Sequence, residues 1–522
     1  MKKLLLVLLY LVIATHCARL SKRDWLRRHN LTCKFCEKKK NIFGLVPELE
    51  HNHEEVIISF EAQLPKCRLD DRFLSFSLDA LELKRNLRCF PLESRKINTL
   101  ARALSPAYFR VGGTPQDFLI FTEKKKIHAV ENDQGPSSCH PMFENWTRMK
   151  QFQYTHSEFE ELFTFTQRNN FRLIFGLNAL TRDRKGSWVI SNATKAVLNK
   201  YSGKVDWEIG NEPNRFSKYG GKTKVSARQL ARDDKKLRGL LQNSKSKIYG
   251  PDISKPSLKP LKYLKKYLAA SPPIDAVTYH MYEMHQTEAS VEAFLNPIYM
   301  SKLKEQMSWI DQIVQNSSRG NLSRQKDVWV GETGSASGGG APGFSDRFIS
   351  GFHHLSKIGL ASEFCHKVFI RQSFYGGHYG MLDPITHNPL PDYWVTLLFK
   401  KLIKNVVLSS SANQNLFFRT HFYCSKKVPG DLVVSFVNMK QRSNFFLSVK
   451  NYEKYPIEKY IFTNPEGLTS KNSYLNGELL RMINGERLPQ MKGVDGVRQP
   501  VEIPRLSYGF LVIKNTNVKA CM

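Results

Sequence analysis

Short apolar runs recur along the chain, separated by longer segments with helical periodicity. They cover 73–79, 108–112, 171–177, 205–210, 248–251, 276–280, 328–332 and 368–373. An apolar run without alternation reads as a strand buried on both faces, as in a parallel sheet. The stretches 226–242 and 258–269 repeat Leu at helical spacing with basic outer positions, and read as amphipathic helices. Eight strands alternating with helices predict an α/β fold, a (β/α)8 TIM barrel.

The pattern changes at both ends. Residues 56–62 alternate weakly and read as a strand. Beyond about 402 the runs become shorter, at 416–423, 431–437, 444–449, 460–463 and 509–514, which is the spacing of a C-terminal β-sandwich domain. Cys424 and Cys521 are the only cysteines of that part and are placed to staple its ends as a disulfide. Between 122 and 150 periodicity is lost around Lys124-Lys125-Lys126 and Gly135-Pro136, which predicts an exposed, protease-accessible loop.

Lys2 and Lys3 precede an apolar run over 4–14 and small residues near Cys17, the pattern of a secretory signal peptide. The run is too short to span a bilayer, and no later stretch is long enough to be a transmembrane segment. The expected organisation is a signal peptide (1–17), a basic N-terminal extension (18–55), a sandwich strand with the first barrel strands (56–121), the exposed loop (122–150), the rest of the barrel (151–400) and the sandwich (401–522). Removing 1–17 leaves eight of the nine cysteines, an even number suited to disulfides in an oxidising compartment. Cys33-x-x-Cys36 has no second pair at zinc-site spacing, so it reads as disulfide-bonded. Asn30, Asn145, Asn192, Asn316 and Asn321 are glycosylation acceptors of the Asn-x-Ser/Thr type.

Charge narrows the partners. The 522 residues hold 78 Lys+Arg against 47 Asp+Glu, a formal net charge of +31. Such a field attracts polyanions: nucleic acid, an anionic membrane or a sulfated polysaccharide. Secretion and the lack of a recognisable nucleic-acid module count against nucleic acid and favour extracellular glycans.

Two carboxylate motifs carry the candidate chemistry. Trp207-Glu208-Ile209-Gly210-Asn211-Glu212-Pro213-Asn214 follows the fourth run, and Val328-Trp329-Val330-Gly331-Glu332-Thr333 ends the seventh. Barrel enzymes place their chemistry at the carboxyl ends of the strands. Glycosidic hydrolysis uses two carboxyl groups, one acting as acid and one as nucleophile or base. Glu212 and Glu332 are the candidates, and two such groups need no cofactor and no metal.

The strings Leu104-Ser105-Pro106-Ala107-Tyr108-Phe109-Arg110, Gly112-Gly113-Thr114, Ile174-Phe175-Gly176-Leu177-Asn178-Ala179-Leu180 and Leu390-Pro391-Asp392-Tyr393-Trp394, with both Glu motifs, extend the pattern. In them the chain resembles the heparanase family, retaining endo-β-glucuronidases acting on heparan sulfate and heparin. The resemblance implies that Glu212 is the proton donor, protonated at rest, and Glu332 the nucleophile. It places Asn211 on the sugar 2-hydroxyl and Tyr282 beside the nucleophile. Gly338, Gly339 and Tyr379 match the grip on the glucuronate carboxylate, while Asp79, Thr114, Asn178 and His280 match further cleft positions. Lys255, Lys259, Lys262, Lys265 and Lys266 match a heparin-binding segment, and Lys218 another sulfate contact. The resemblance also implies excision of a linker near 122–150 to give a two-chain form, and an extracellular, matrix or lysosomal location. Ser257, Met281, Thr287 and Ser337 depart from the family, replacing an Arg, a His, a second Arg and a Tyr. The alternatives are a β-glucuronidase acting on chain ends or less sulfated glycans, and a silent heparan-sulfate binder, against which the intact Glu212 and Glu332 argue.

Overall fold

The computed structural model describes residues 54–124, 139, 149–219, 223–242, 244–318, 326–411 and 415–522. All eight apolar runs are strands: β1 (Leu74–Asp79), β2 (Ala107–Gly112), β3 (Phe171–Leu177), β4 (Asp206–Ile209), β5 (Ile248–Ile253), β6 (Ala276–His285), β7 (Asp327–Ser337) and β8 (Val368–Tyr375). They close into one parallel barrel in sequence order, β8 pairing with β1.

A helix follows each strand: α1 (Arg95–Ala103), α2 (His156–Arg168), α3 (Asn192–Lys200), α4 (Ala227–Leu240), α5 (Leu258–Leu268), α6 (Ile298–Ser317), α7 (Ser350–Glu363) and α8 (Pro391–Leu402). Local chemistry starts several of them. Thr155 and Glu158 form a reciprocal capping box on α2, and Ser226 caps α4 through Gln229 N.

The strands β6 and β7 run on to His285 and Ser337 instead of ending near 280 and 332. Polar residues such as Glu283 and Thr333 interrupt the apolar signal there. In the fold they pair across the two strands and turn their polar atoms into buried hydrogen bonds.

Inside the barrel, Tyr108, Ile174, Tyr249, Ala276, Trp329, Val368 and Ile370 fill the end where the strands begin. Toward the carboxyl ends the interior becomes polar, with Arg110, Glu208, Asp252, His280 and Glu332 all buried.

The C-terminal part forms two sheets over a separate apolar core. Its main strands are β9 (Ile403–Leu408), β10 (Phe418–Ser425), β11 (Leu432–Asn438), β12 (Phe445–Val449), β13 (Ile457–Thr463) and β14 (Ser507–Ile513). The strand Glu54–Phe60 joins this region, pairing parallel with β12. Helix α7 is buried between β7 of the barrel and the sandwich strands. Its glycines permit that approach: a β-carbon on Gly359 would lie 2.1 Å from the His421 ring, and one on Gly351 2.3 Å from Tyr508.

Disulfides join Cys67 to Cys365, Cys89 to Cys139 and Cys424 to Cys521. Asn192 and Asn316 are exposed on α3 and α6. The signal peptide, Cys33, Cys36, Asn30, Asn145, Asn321 and most of 122–150 lie outside the described residues. No helix among the described residues is long and apolar enough to cross a membrane.

Candidate active site

Glu212 lies just beyond β4 on a tight turn. Gly210 has φ 74°, and a β-carbon there would come within 2.8 Å of Ala179, so glycine is required. Glu212 itself is left-handed, with φ 48° and ψ 55°. Surrounding bonds hold that uncommon backbone: Asn211 N donates to Asp117 (2.9 Å) and Glu212 N to the Asp252 carbonyl (3.0 Å).

Glu332 lies within β7, opposite His280 of β6. Tyr282 donates its hydroxyl to Glu332 Oε1 (2.6 Å), and Arg110 Nη1 donates to Oε2 (3.0 Å). Arg110, fully buried, also donates to Glu208 (2.7 Å), Asp252 (2.9 Å) and Asn211 Oδ1 (3.2 Å). One guanidinium thereby ties β2 to β4, β5 and β7.

His280 stands between the two candidate carboxylates, its Nδ1 3.2 Å from Glu212 Oε1 and 3.7 Å from Glu332 Oε1. Those two oxygens are therefore at most about 7 Å apart, a bound that admits the ~5–5.5 Å carboxyl separation of retaining glycosidases. Burial alone would lower the His280 pKa, but the facing Glu332, Asp252 and Glu212 push it up to about 10.

The groups around Glu212 act on it in opposite directions. Burial raises its pKa, yet hydrogen bonding and charge from His280, and then Arg215, take it below the usual carboxylate range. Deeper in the barrel, burial raises the Glu208 pKa well above its ordinary value, against the opposing charge of Arg110.

The carboxylates open into a cavity of about 320 Å³. Asp79, Thr114, Asn211, Tyr282, Gly338, Gly339 and Tyr379 line it with Glu212 and Glu332. Gly338 and Gly339 adopt φ of 88° and 99° at its edge. Asp79 accepts from Leu81 N (2.9 Å) and Gln372 Nε2 (3.1 Å), and burial pushes its pKa up to about 7. Asn178 is placed elsewhere: it borders a separate 110 Å³ cavity, and its carbonyl accepts from the Trp188 indole. Among the described residues no cluster of His, Cys, Asp and Glu is arranged to hold a metal ion.

The model of glycosyl hydrolase family 79, N-terminal domain, matches residues 84–359. Heparanase from Bos taurus is 35% identical over 517 residues, covering 89% of this chain and 92% of that protein. The chain belongs to the heparanase family. It is a glycoside hydrolase. Hyaluronoglucuronidase from Hirudo nipponia is 30% identical, with 90% of this chain and 99% of that protein covered. A solved 4-O-α-L-rhamnosyl-β-D-glucuronidase from Fusarium oxysporum, 14% identical, covers 88% of this chain and 100% of its own with a TM-score of 0.61, which shows the shared fold.

Within this family member the basic residues separate into two groups. Lys218, Lys259, Lys262, Lys265 and Lys266 are exposed, the last four on α5. Lys255 does not join them: it is half-buried, its ammonium donates to the Glu283 carbonyl (2.7 Å), and burial lowers its pKa.

Several supporting residues were not picked out by motif. Arg110 could have been found as a charge inside a barrel strand, which must have buried partners. Lys357 lies in the buried helix α7, its Nζ bonded to Glu283 (2.9 Å), Thr333 Oγ1 (3.0 Å) and the Gly334 carbonyl (2.7 Å), just behind Glu332. Asp117, Asp252 and Arg215 carried no sequence signal of their own.

Proposed function

We propose that the chain is a secreted endo-β-glucuronidase that cleaves heparan sulfate or heparin-like polysaccharides by retaining double displacement. The observation that carries this reading is the pair of cleft carboxylates flanking one imidazole nitrogen, with Glu332 oriented through both of its oxygens.

In the first step a Glu332 oxygen attacks the anomeric carbon, the bond to the leaving oxygen breaks, and Glu212 supplies that oxygen with a proton. His280 Nδ1, 3.2 Å from Glu212 Oε1, orients that carboxyl. In the second step Glu212 takes a proton from water, the hydroxide attacks the glycosyl ester, and Glu332 departs as carboxylate. Asn211 Oδ1 accepts from Arg110, which leaves the Asn211 amide hydrogens for the sugar 2-hydroxyl. The N–H groups of Gly338 and Gly339 and the hydroxyl of Tyr379 suit the glucuronate carboxylate.

The polyanionic substrate is supported by the net charge of +31 and the exposed lysines of α5. Three disulfides support an oxidising, extracytoplasmic location. A single cut within 125–138 would give two chains still joined by the Cys89–Cys139 bond. A second reading, a glucuronan of lower sulfation, is favoured by Ser257 and Thr287 at positions where the family carries Arg, and by the similarity to the leech protein.

Size-exclusion analysis of heparan sulfate and hyaluronan, digested at mildly acidic pH before and after limited proteolysis, tests both. Mid-sized heparan sulfate fragments support the first reading; fragmentation of hyaluronan alone supports the second. Intact chains of both, with heparin binding retained, would show a silent binder.

A further inference from the structure

Arg215 is a cation that the double displacement does not use. It ends the turn Pro213–Arg215, three residues after Glu212, and its Nη1 lies 2.7 Å from Glu212 Oε2. Its side chain is 43% exposed in the cleft. Arg85, the other cleft arginine, is 17% exposed and paired with Glu82. Arg215 is thus the more accessible guanidinium, and it touches the acid/base.

That contact has a chemical cost. A general acid must hold a proton before it can donate one. His280 on Oε1 and Arg215 on Oε2 both oppose protonation of Glu212. The other groups facing Glu212 or Arg215 are Glu332, Tyr282 and Tyr219, none of which is cationic. His280 is buried, 3.5 Å from Asp252, whereas the Arg215 side chain is 43% exposed. The Arg215–Glu212 pair is open to the cleft on the arginine side only, 43% exposed against 11% for Glu212, so a competing anion can reach the guanidinium. The planar guanidinium fork matches two oxygens of a sulfate ester or a carboxylate.

We propose that Arg215 is an anion subsite on the leaving-group side of the cleft. It takes a sulfate ester or carboxylate on the sugar beyond the scissile bond, and by leaving Glu212 it lets that residue hold its proton. Substrate charge and acid catalysis are coupled through this one side chain. The inference rests on the glucuronidase reading above.

The test uses two synthetic oligosaccharides that differ by one sulfate on the sugar after the scissile bond. The full chain, R215M and R215K are compared by kcat/KM across pH. The wild-type chain is expected to favour the sulfated substrate by about 10-fold or more, the lower range for a charge-assisted hydrogen bond. R215M should cleave both alike, and R215K should regain part of the preference. Activity is lost as pH rises through the Glu212 pKa, and removing Arg215 raises that pKa. The alkaline limb on the unsulfated substrate should therefore lie at higher pH in R215M than in wild type. A sulfate preference or an alkaline limb unchanged in R215M overturns the role of Arg215 while the glucuronidase reading stands. If R215M does not fold, a full preference kept by R215K without the fork geometry overturns the bidentate site. Failure of the wild-type chain to cleave either substrate overturns the glucuronidase reading and this inference with it.

Discussion

Tyr282 donates its hydroxyl to Glu332 Oε1 across 2.6 Å, from β6 to the adjacent β7. Burial and the carboxylate raise the tyrosine pKa well above its ordinary value, so it remains a donor at any working pH. With Arg110 on the other oxygen, Glu332 is oriented before substrate arrives. Tyr282→Phe removes one donor and leaves the shape. The expected result is a fall in kcat/KM of about 10- to 100-fold, the range for a lost hydrogen bond to a charged group, with heparin affinity unchanged. Steady-state kinetics beside a heparin-binding isotherm measures this, and an unaltered kcat/KM would exclude a role for the phenol.

Glu332→Gln should abolish turnover while heparin affinity stays, because the amide cannot form the glycosyl ester. Glu212→Gln should behave differently. Aryl glucuronides with good leaving groups need little protonation, so their first step should survive and the glycosyl-enzyme should accumulate as a burst. Full activity in Glu332→Gln would mean that another residue is the nucleophile.

The buried Lys357–Glu283 pair pins the ends of β6 and β7 behind the site. Lys357→Met strands a buried carboxylate and should cost about 3–5 kcal/mol in stability. Adding Glu283→Leu removes the orphaned charge and should recover most of that loss. Chemical denaturation of the two variants decides it; a double variant no more stable than the single would mean that the loss comes from packing and not from charge.

The barrel was legible because its strands are buried on both faces, which leaves uninterrupted apolar runs such as 171–177. The two Glu positions were legible because each directly follows such a run. The support of the site was not. Arg110, Asp252 and Lys357 come from three different elements, and what each of them meets depends on closure of the barrel, which no local spacing encodes. The strand Glu54–Phe60 was legible as a sandwich strand, but its pairing with β12, far along the chain, and the Cys67–Cys365 bond across 298 residues were not. Motif alone also reveals neither the His280 contact with Glu212 nor that of Arg215.

On α5, Lys259, Lys262 and Lys266 recur at one face of the helix and are exposed, with Lys265 beside them. Replacing Lys259, Lys262 and Lys265 by Ala should weaken heparin binding and flatten its dependence on salt, since exposed charges act through a screened field. Lys255→Ala should leave that salt dependence unchanged, because its ammonium is engaged with the Glu283 carbonyl. Heparin affinity measured at several ionic strengths separates the two groups. An equal loss in both would place Lys255 in the binding surface.

Asp234 on α4 is buried against α5, where the Tyr267 hydroxyl donates to it. Desolvation raises its pKa to about 7, ahead of the opposing hydrogen bond from Tyr267. Because the folded value lies above the unfolded one, the folded chain binds the extra proton. Its contribution to stability is full below the unfolded value of 3.8 and is lost as pH rises through about 7. Asp234→Asn keeps the shape and an acceptor for Tyr267 but cannot titrate. The melting temperature of the wild-type chain relative to Asp234→Asn should therefore fall between about pH 5 and about pH 8. Thermal unfolding of both across that range measures it. A constant or rising difference would show that Asp234 is ionised in the folded chain, its charge carried by Tyr267 and Arg238.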